Sequence, residues 1–591
     1  MSCVPEKSST NLFLHHNSRG ALFMGRISDK WRVHPTPNAH VHMPCYHALE
    51  SRVTYRSDTP KKLVIVLASS ASYQPTMAWI SKSCPAIESR TLNSPNRSSC
   101  PWQPGYLVPK HTTPRNHGKK RIPRYRRVGR LRESDIGASV ITQRLSKVHW
   151  TSRYAREIQD CYELSETHWY GGGETHTQVW PIETNPRVES PFVTGDFIQD
   201  PMINYGGVLE VLLACFSARD RPPYTPRSPL TLTYEWCVAD NVREAHKLAS
   251  RIFFSTPERS VDELMLVRPL WSTWAQFKEH VNSTIVVQFA HEIVDRGFAN
   301  SSHIEIDDNW ESCYGEEAFN TLKFPNPKAM VDEIKSLNLR VTAWVHPFVN
   351  YECPMFSEGL RNGYFVKDAK GQTGLSRWWQ GANAGVIDVT NQHARFWWTE
   401  RLEKLQKQTG LDSFKFDAGE TFWLPGNPVL SGDDTLWPNV YSTKYVETCA
   451  KFGGLVETRV AHQTQKHGVF VRMLDKDSRW GHDNGLRSLI PTLLQFGIVG
   501  YPFVLPDMIG GNAYGGGVPS KQLYIRWMQA NILFPAVQFS IVPWTFDDEV
   551  GVFIYTKFKR DITRTLSRMI SCGLNPRLGR TIFQRLKLIP E

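Results

Sequence analysis

The 591-residue chain has no apolar run long enough to cross a bilayer. Its best, Leu63-Val-Ile-Val-Leu-Ala68, falls far short of the roughly 20 residues a spanning helix needs. The N-terminus, Met1-Ser-Cys-Val-Pro-Glu-Lys7, lacks the charged and apolar regions of a signal peptide. The chain therefore reads as soluble and untargeted, with no membrane segment. Its eleven cysteines form no CxxC pair and no Cys/His spacing of a zinc site, so no metal is expected. No GxGxxG follows the first candidate barrel strand, which argues against a dinucleotide fold, and no cofactor is expected.

Acidic residues are scarce at one end. Residues 1–150 hold 24 Lys and Arg against seven Asp and Glu, whereas the remainder holds 45 against 50. The formal charge of +12 thus belongs to the N-terminal quarter. A nucleic-acid reading would rest on its basic run, residues 119–132, and none is expected for the body of the chain. The acceptor triplets Asn96-Arg-Ser, Asn282-Ser-Thr and Asn300-Ser-Ser permit glycosylation without establishing a secretory route.

What is present changes along the chain. Residues 1–150 show no sustained periodicity and are rich in Ser, Pro, Arg and His, the composition of a disordered or non-native segment. Residues 155–258 read as short strands with Gly and Pro turns, including Cys161–Gly173 and Thr177–Pro181, and suggest a β-sandwich. From 262 to 550 strands alternate with helical stretches. The candidate strands are Leu264–Trp271, Ser302–Asp307, Arg340–Val345, Ser413–Asp417, Gly454–Val460, Val469–Asp475, Gly500–Leu505 and Ala536–Pro543. Eight strands with crossovers in this length fit an α/β chain built on a (β/α)8 TIM barrel. Residues 551–591 form a divergent tail.

Chemistry in such a barrel sits at the C-terminal ends of the strands. Four candidate strands end there in acid: Asp307-Asp308, Asp417, Asp475-Lys-Asp477 and Pro506-Asp507. Any one alone reads equally well as a loop or cap residue. Four on one rim repel each other unless they hold a cation or polyol, or perform acid/base work. Trp310, Trp344, Trp379 and Arg472 nearby favour a polyol. Glycoside cleavage needs two carboxyl groups in different environments, and the rim can present such a pair.

Seven segments in order carry a resemblance: His168-Trp-Tyr-Gly-Gly, Ile304–Trp310, Val341–Pro347, Lys415-Phe-Asp-Ala-Gly-Glu420, Arg472–Ser478, Pro506–Asn512 and Tyr524–Gln529. They cover about two thirds of the chain. The chain resembles glycoside hydrolase family 31, most closely its myogenesis-regulating glycosidase branch. The resemblance implies a retaining α-glycosidase acting on a terminal α-galactoside or α-glucoside, with a β-sandwich before the barrel and C-terminal β-domains after it. It implies Asp417 as nucleophile and Asp475 as acid/base, with Asp477 and Asp483 as competitors for the second role. Asp307, Asp308, Trp310, Trp344, Lys415, Arg472 and Asp507 are implied as substrate-lining positions, and Arg526 and Trp527 as supports of the barrel. It also implies an endoplasmic-reticulum or secretory location. Residues 1–150 and 551–591 leave the family pattern, and the tail is too short for a full C-terminal β-domain, so a truncated gene product and a catalytically impaired sugar-binding homologue remain the alternative. Lys415 is expected to keep Asp417 ionised, and the acid/base to hold its proton more tightly than the nucleophile. The oligomeric state is left open.

Overall fold

The computed structural model describes residues 170–184, 191–200, 204–210, 215–219, 230–239, 241–548 and 550–551, and the backbone of strands at 11–16, 22–27, 64–68, 106–107, 144–152 and 157–161. Eight parallel strands form its centre: β1 (Leu270–Ser272), β2 (His303–Ile306), β3 (Arg340–Val345), β4 (Ser413–Phe416), β5 (Glu457–Thr458), β6 (Phe470–Arg472), β7 (Val504–Leu505) and β8 (Gln538–Phe539). The hydrogen-bonded order runs β7-β6-β5-β4-β3-β2-β1-β8. A parallel bridge between Met508 and Gln538 brings the two ends together, and the Ile509 amide donates to the Gln538 carbonyl at 3.0 Å. The result is the expected TIM barrel, nearly closed.

β3 has the bounds expected from the sequence, and the other seven strands are shorter, because only the central residues of each run pair with both neighbours. The first differs in kind. Residues 263–267 form a helix rather than a strand, since the Asp262 carboxylate caps it by accepting from the Met265 amide at 2.9 Å. Pairing begins only at Leu270.

Helices cover most of the barrel's outside, among them α1 (Ser283–Ile293), α2 (Pro327–Ser336), α3 (Gln392–Thr409), α4 (Val440–Cys449), α5 (Leu489–Ile498) and α6 (Lys521–Asn531). Strand periodicity explains why both strand faces are used. On β4, Phe414 and Phe416 point outward, where Phe416 packs on Trp398 of α3 and Tyr445 of α4. Ser413, Lys415 and the following Asp417 therefore share the inward face. The same alternation aims Glu305 and Asp307 inward from β2, Thr342 and Trp344 from β3, Glu457 and Arg459 from β5, and Arg472 from β6.

Between β3 and α3 the chain makes a small antiparallel sheet, Phe348–Asn350, Leu375–Trp378 and Gly381–Val386. A disulfide, Cys313–Cys353, ties the loop after β2 to the start of this insertion.

Strands on both sides of residue 155 pair in the N-terminal β region. Strand 230–239 pairs antiparallel with Val64–Ala68 on one side and Arg144–Ser152 on the other. Strand 157–161 lies between Tyr106–Leu107 and Cys215–Arg219. Strands within the first 152 residues thus pair with segments of this region. Residues 175 and 177 make only isolated bridges, to Tyr205 and Asp483. Residues 242–252, read as β from the sequence, form a helix capped by Asn241. The basic run 119–132 and residues 552–591 lie outside the described residues. Among the described residues no helix is long and apolar enough to cross a membrane.

Candidate active site

The strand ends open into a pocket of about 290 Å³, near the lower end of the roughly 300–1,000 Å³ of small-ligand clefts. Its lining includes Asp307, Asp308, Trp344, Lys415, Asp417, Arg472 and Asp475, seven of the nine positions singled out from the sequence. The remaining two stand behind the wall. Trp310 is wholly buried and donates its indole N–H to the Trp344 carbonyl at 2.7 Å, so it supports the tryptophan that does line the pocket. Asp507 is wholly buried and accepts from the Lys476 amide at 2.6 Å and from Arg472 at 3.3 Å.

Asp417 sits just past β4, where its amide bonds the Val345 carbonyl at 2.8 Å. Ala418 and Gly419 follow with φ of 56° and 87°. An added side chain at Gly419 would run into the Tyr445 ring at 2.3 Å, so glycine is required there. One Asp417 oxygen takes Arg472 at 2.7 Å and Arg459 at 3.2 Å. The other takes the Trp344 indole at 3.0 Å. Burial pushes the Asp417 carboxyl up, but Arg459, Arg472 and Lys415 outweigh it and hold the group well below the carboxylate range. Lys415 is the least of these three. Its ammonium pairs directly with Glu305 at 2.9 Å and Asp307 at 2.8 Å instead.

Arg472 joins the two principal carboxylates. One of its terminal nitrogens meets Asp417, and the other meets Asp475 at 2.8 Å. Asp477 and Asp483 do not line the pocket and pair with Arg479, each at 3.0 Å. The acid/base candidates therefore occupy different places, and only Asp475 faces the nucleophile candidate. Its proton affinity is the balance of opposed effects. Burial and the Asp417 charge raise it, yet Arg472 and Arg459 dominate and leave it lowered. The sequence reading weighed only the neighbouring carboxylate and missed the second arginine.

That arginine, Arg459, follows β5. It meets Glu420 at 2.8 Å, Asp196 at 3.2 Å and Asp417 at 3.2 Å, and its guanidinium lies 5.4 Å from the centre of the Trp379 ring. The strand-end logic that found the acids would have found Arg459 had it been applied to cations. Asp196 carried no such signal, because it reaches the pocket from before the barrel. Burial lifts its pKa to about 7 against the pull of Arg459.

On the opposite wall Asp308 accepts from Tyr314 at 2.8 Å and from Gln380 at 2.8 Å. Burial raises Asp308 to about 6 despite both bonds. Trp379 and Gln380 come from the insertion between β3 and α3. The arrangement is a polar cleft with tryptophan walls and a buried carboxylate pair, which suits a sugar ring and its hydroxyls.

Residues 269–559 match the family model described as the glycosyl hydrolases family 31 TIM-barrel domain. The barrel is a family 31 glycoside hydrolase domain. The myogenesis-regulating glycosidase of Mus musculus is 39% identical over 461 residues, covering 70% of this chain and 63% of that protein. An α-xylosidase of Emericella nidulans is 27% identical over 314 residues, covering 50% and 39%. A solved structure of a Flavobacterium johnsoniae family 31 dextranase complexed with glucose superposes with a TM-score of 0.52 at 15% identity, covering 74% of this chain and 56% of that one. The chain spans less than two thirds of the length of the mouse relative. Family 31 membership, with α-glycosidases among the relatives, makes the barrel a glycosidase fold with its carboxylate pocket at the expected end.

Proposed function

We propose that this protein is a retaining α-glycosidase that removes a terminal α-linked hexose, galactose or glucose. The observation carrying this reading is the single Arg472 guanidinium held between Asp417 and Asp475. Such bridging favours the close carboxyl separation of retaining enzymes, about 5–5.5 Å, over the roughly 6.5–9.5 Å of inverting ones. Asp417, kept ionised by two arginines, attacks the anomeric carbon. Asp475 gives a proton to the departing oxygen and later takes one from water. Esterification of Asp417 removes the negative charge that raises Asp475, so Asp475 holds its proton less tightly when it must act as base. Asp307, Asp308, Lys415 and Gln380 hold sugar hydroxyls, and Trp344 and Trp379 flank the ring.

The Cys313–Cys353 disulfide and the acceptor triplets support an oxidising compartment such as the endoplasmic reticulum or secretory pathway. The test is turnover of α-galactosides and α-glucosides by wild type and Asp417→Ala. Wild type should cleave one of them, and the variant should lose several orders of magnitude in kcat with an unchanged circular dichroism spectrum. A folded Asp417→Ala protein with wild-type turnover would refute the assignment.

A further inference from the structure

Asp475 is gripped on both oxygens. Oδ1 takes Arg472 at 2.8 Å, with Arg459 3.9 Å away. Oδ2 takes the Tyr514 hydroxyl, from a segment that the family resemblance did not use. Tyr514 opens a turn, Tyr514–Gly516, in the loop after β7.

The base of that loop is fixed to the chain immediately after Asp475. The Asn512 amide donates to the Lys476 carbonyl at 2.8 Å, and its side-chain nitrogen reaches Asp507 at 2.6 Å. The Ala513 amide donates to Ser478 Oγ at 3.0 Å. The tip is different. Gly515 and Gly516 adopt φ of 71° and 78°, and a side chain added at Gly515, Gly516 or Gly517 would meet open space. Glycine is there for the turn, not for close packing. The turn reverses the chain just after an anchored base, and Tyr514 lies between the two. Its ring is held edge-on to Trp274 at 6.3 Å, with the Lys278 ammonium 5.3 Å from its centre.

We propose that Tyr514 is the positioning residue of the acid/base, its hydroxyl fixing Asp475 Oδ2 in the pocket while Arg472 fixes Oδ1. This rests on the reading of Asp475 as acid/base. A hydroxyl suits both halves of a two-step reaction, since it donates to the carboxylate and accepts from the carboxylic acid. The phenol itself stays protonated, because desolvation of its inward end and the Asp475 charge push it well above its ordinary value.

The consequence has a sign. Asp475 is faced by Arg472 and Arg459, which favour its anion, and by Asp417, which disfavours it. Lys278, Asp196 and Asp507 also feel its charge. The Tyr514 hydroxyl donates to the anion and so favours it as well. Its removal makes Asp475 hold its proton to higher pH, and the alkaline limb of kcat/KM, which reports loss of the acid form, moves upward.

The experiment compares wild type, Tyr514→Phe and Tyr514→Ala. The phenylalanine keeps the ring against Trp274 and Lys278 and deletes only the oxygen. Both variants should shift the alkaline limb upward by about one pH unit, the worth of one hydrogen bond to a charged group. If the Tyr514→Phe limb coincides with wild type and only Tyr514→Ala is impaired, the ring merely packs and the proposal fails. A second readout needs no turnover. Protein carrying 13C-carboxyl aspartate is titrated by isotope-edited infrared spectroscopy, with Asp475→Asn identifying the band. The Asp475 carboxyl should protonate at higher pH in Tyr514→Phe, and an unmoved titration overturns the proposal. Wild type that hydrolyses no α-hexoside would sink the glycosidase reading instead, while the infrared titration still decides the role of Tyr514.

Discussion

Arg472 sets the electrostatics of the pocket. It is buried among Asp417, Asp475, Asp507 and Glu457, and no neighbouring carboxylate has it to itself. Charge sharing of this kind separates the two proposed catalytic roles by geometry rather than by a large difference in burial. Asp417 receives a second arginine at 3.2 Å, whereas the same arginine stands 3.9 Å from Asp475. The roles can be separated experimentally. Asp475→Ala should lose activity on disaccharides, whose leaving group needs a proton, by about 10²–10⁴-fold. It should retain more on an activated aryl glycoside, and azide should partly restore turnover by attacking the trapped glycosyl-enzyme. Asp477→Ala and Asp483→Ala should show neither effect, since both carboxylates pair with Arg479 away from the pocket. Azide rescue of Asp483→Ala but not of Asp475→Ala would exchange their roles. At this scale the acids were legible, because a carboxylate at a strand end stands out against an apolar run. The partition of tryptophans was not. Trp310 and Trp344 look alike in sequence, but Trp344 lies on the inward face of β3 while Trp310 follows a loop that turns it behind that strand.

The strands were legible by position and poorly by length. Alternation and spacing located all eight, since a parallel strand covered on both faces must be apolar outward and, in this barrel, polar inward. Only pairing decides where a strand stops, and that depends on neighbours far away in sequence. Connections were harder still. The insertion after β3 delivers Trp379 and Gln380, and the Cys313–Cys353 disulfide ties it to the loop carrying Tyr314. Tyr314 in turn holds Asp308 and packs edge-on to Trp378 at 5.3 Å. The disulfide thus connects two loops that form one wall of the pocket. Cys353→Ser should lower stability by about 2–4 kcal/mol in denaturant melts. It should also raise KM more than it lowers kcat, because the hydroxyl-binding wall loosens while Asp417 and Asp475 stay on their strand ends. An unchanged KM would mean that the wall stands without the bond.

Across the whole molecule, burial holds several carboxyls above their ordinary range. Burial lifts Glu457 to about 7 and Glu317 to about 8, although Arg401 lies beside Glu317. A carboxyl whose folded pKa is raised contributes stability below its unfolded value, and that contribution is lost as pH rises through the folded value. His303 has the opposite sign. Burial depresses it to about 3 from its ordinary 6.5, so its contribution is complete above 6.5 and is lost on acidification. Between pH 6.5 and 8 the raised carboxyls make thermal stability fall as pH rises. Glu317→Gln, which keeps an acceptor for the Trp398 indole at 2.7 Å, should flatten that fall. An unaltered slope in calorimetric melts would assign the pH dependence elsewhere. The whole chain was the least legible level. Strands from the first 150 residues pair with segments beyond 156, and such distant pairing leaves no local periodicity to read.

The central claim is that Asp417 forms a covalent bond to the sugar. Incubation with a 5-fluoro-α-glycosyl fluoride, in the galacto or gluco configuration, followed by proteolysis and mass spectrometry, tests it most directly. The account predicts one sugar equivalent on the peptide containing Asp417, with release restored by an acceptor. Label on another carboxylate, or turnover of α-glycosides with inversion and no labelled peptide, would contradict it.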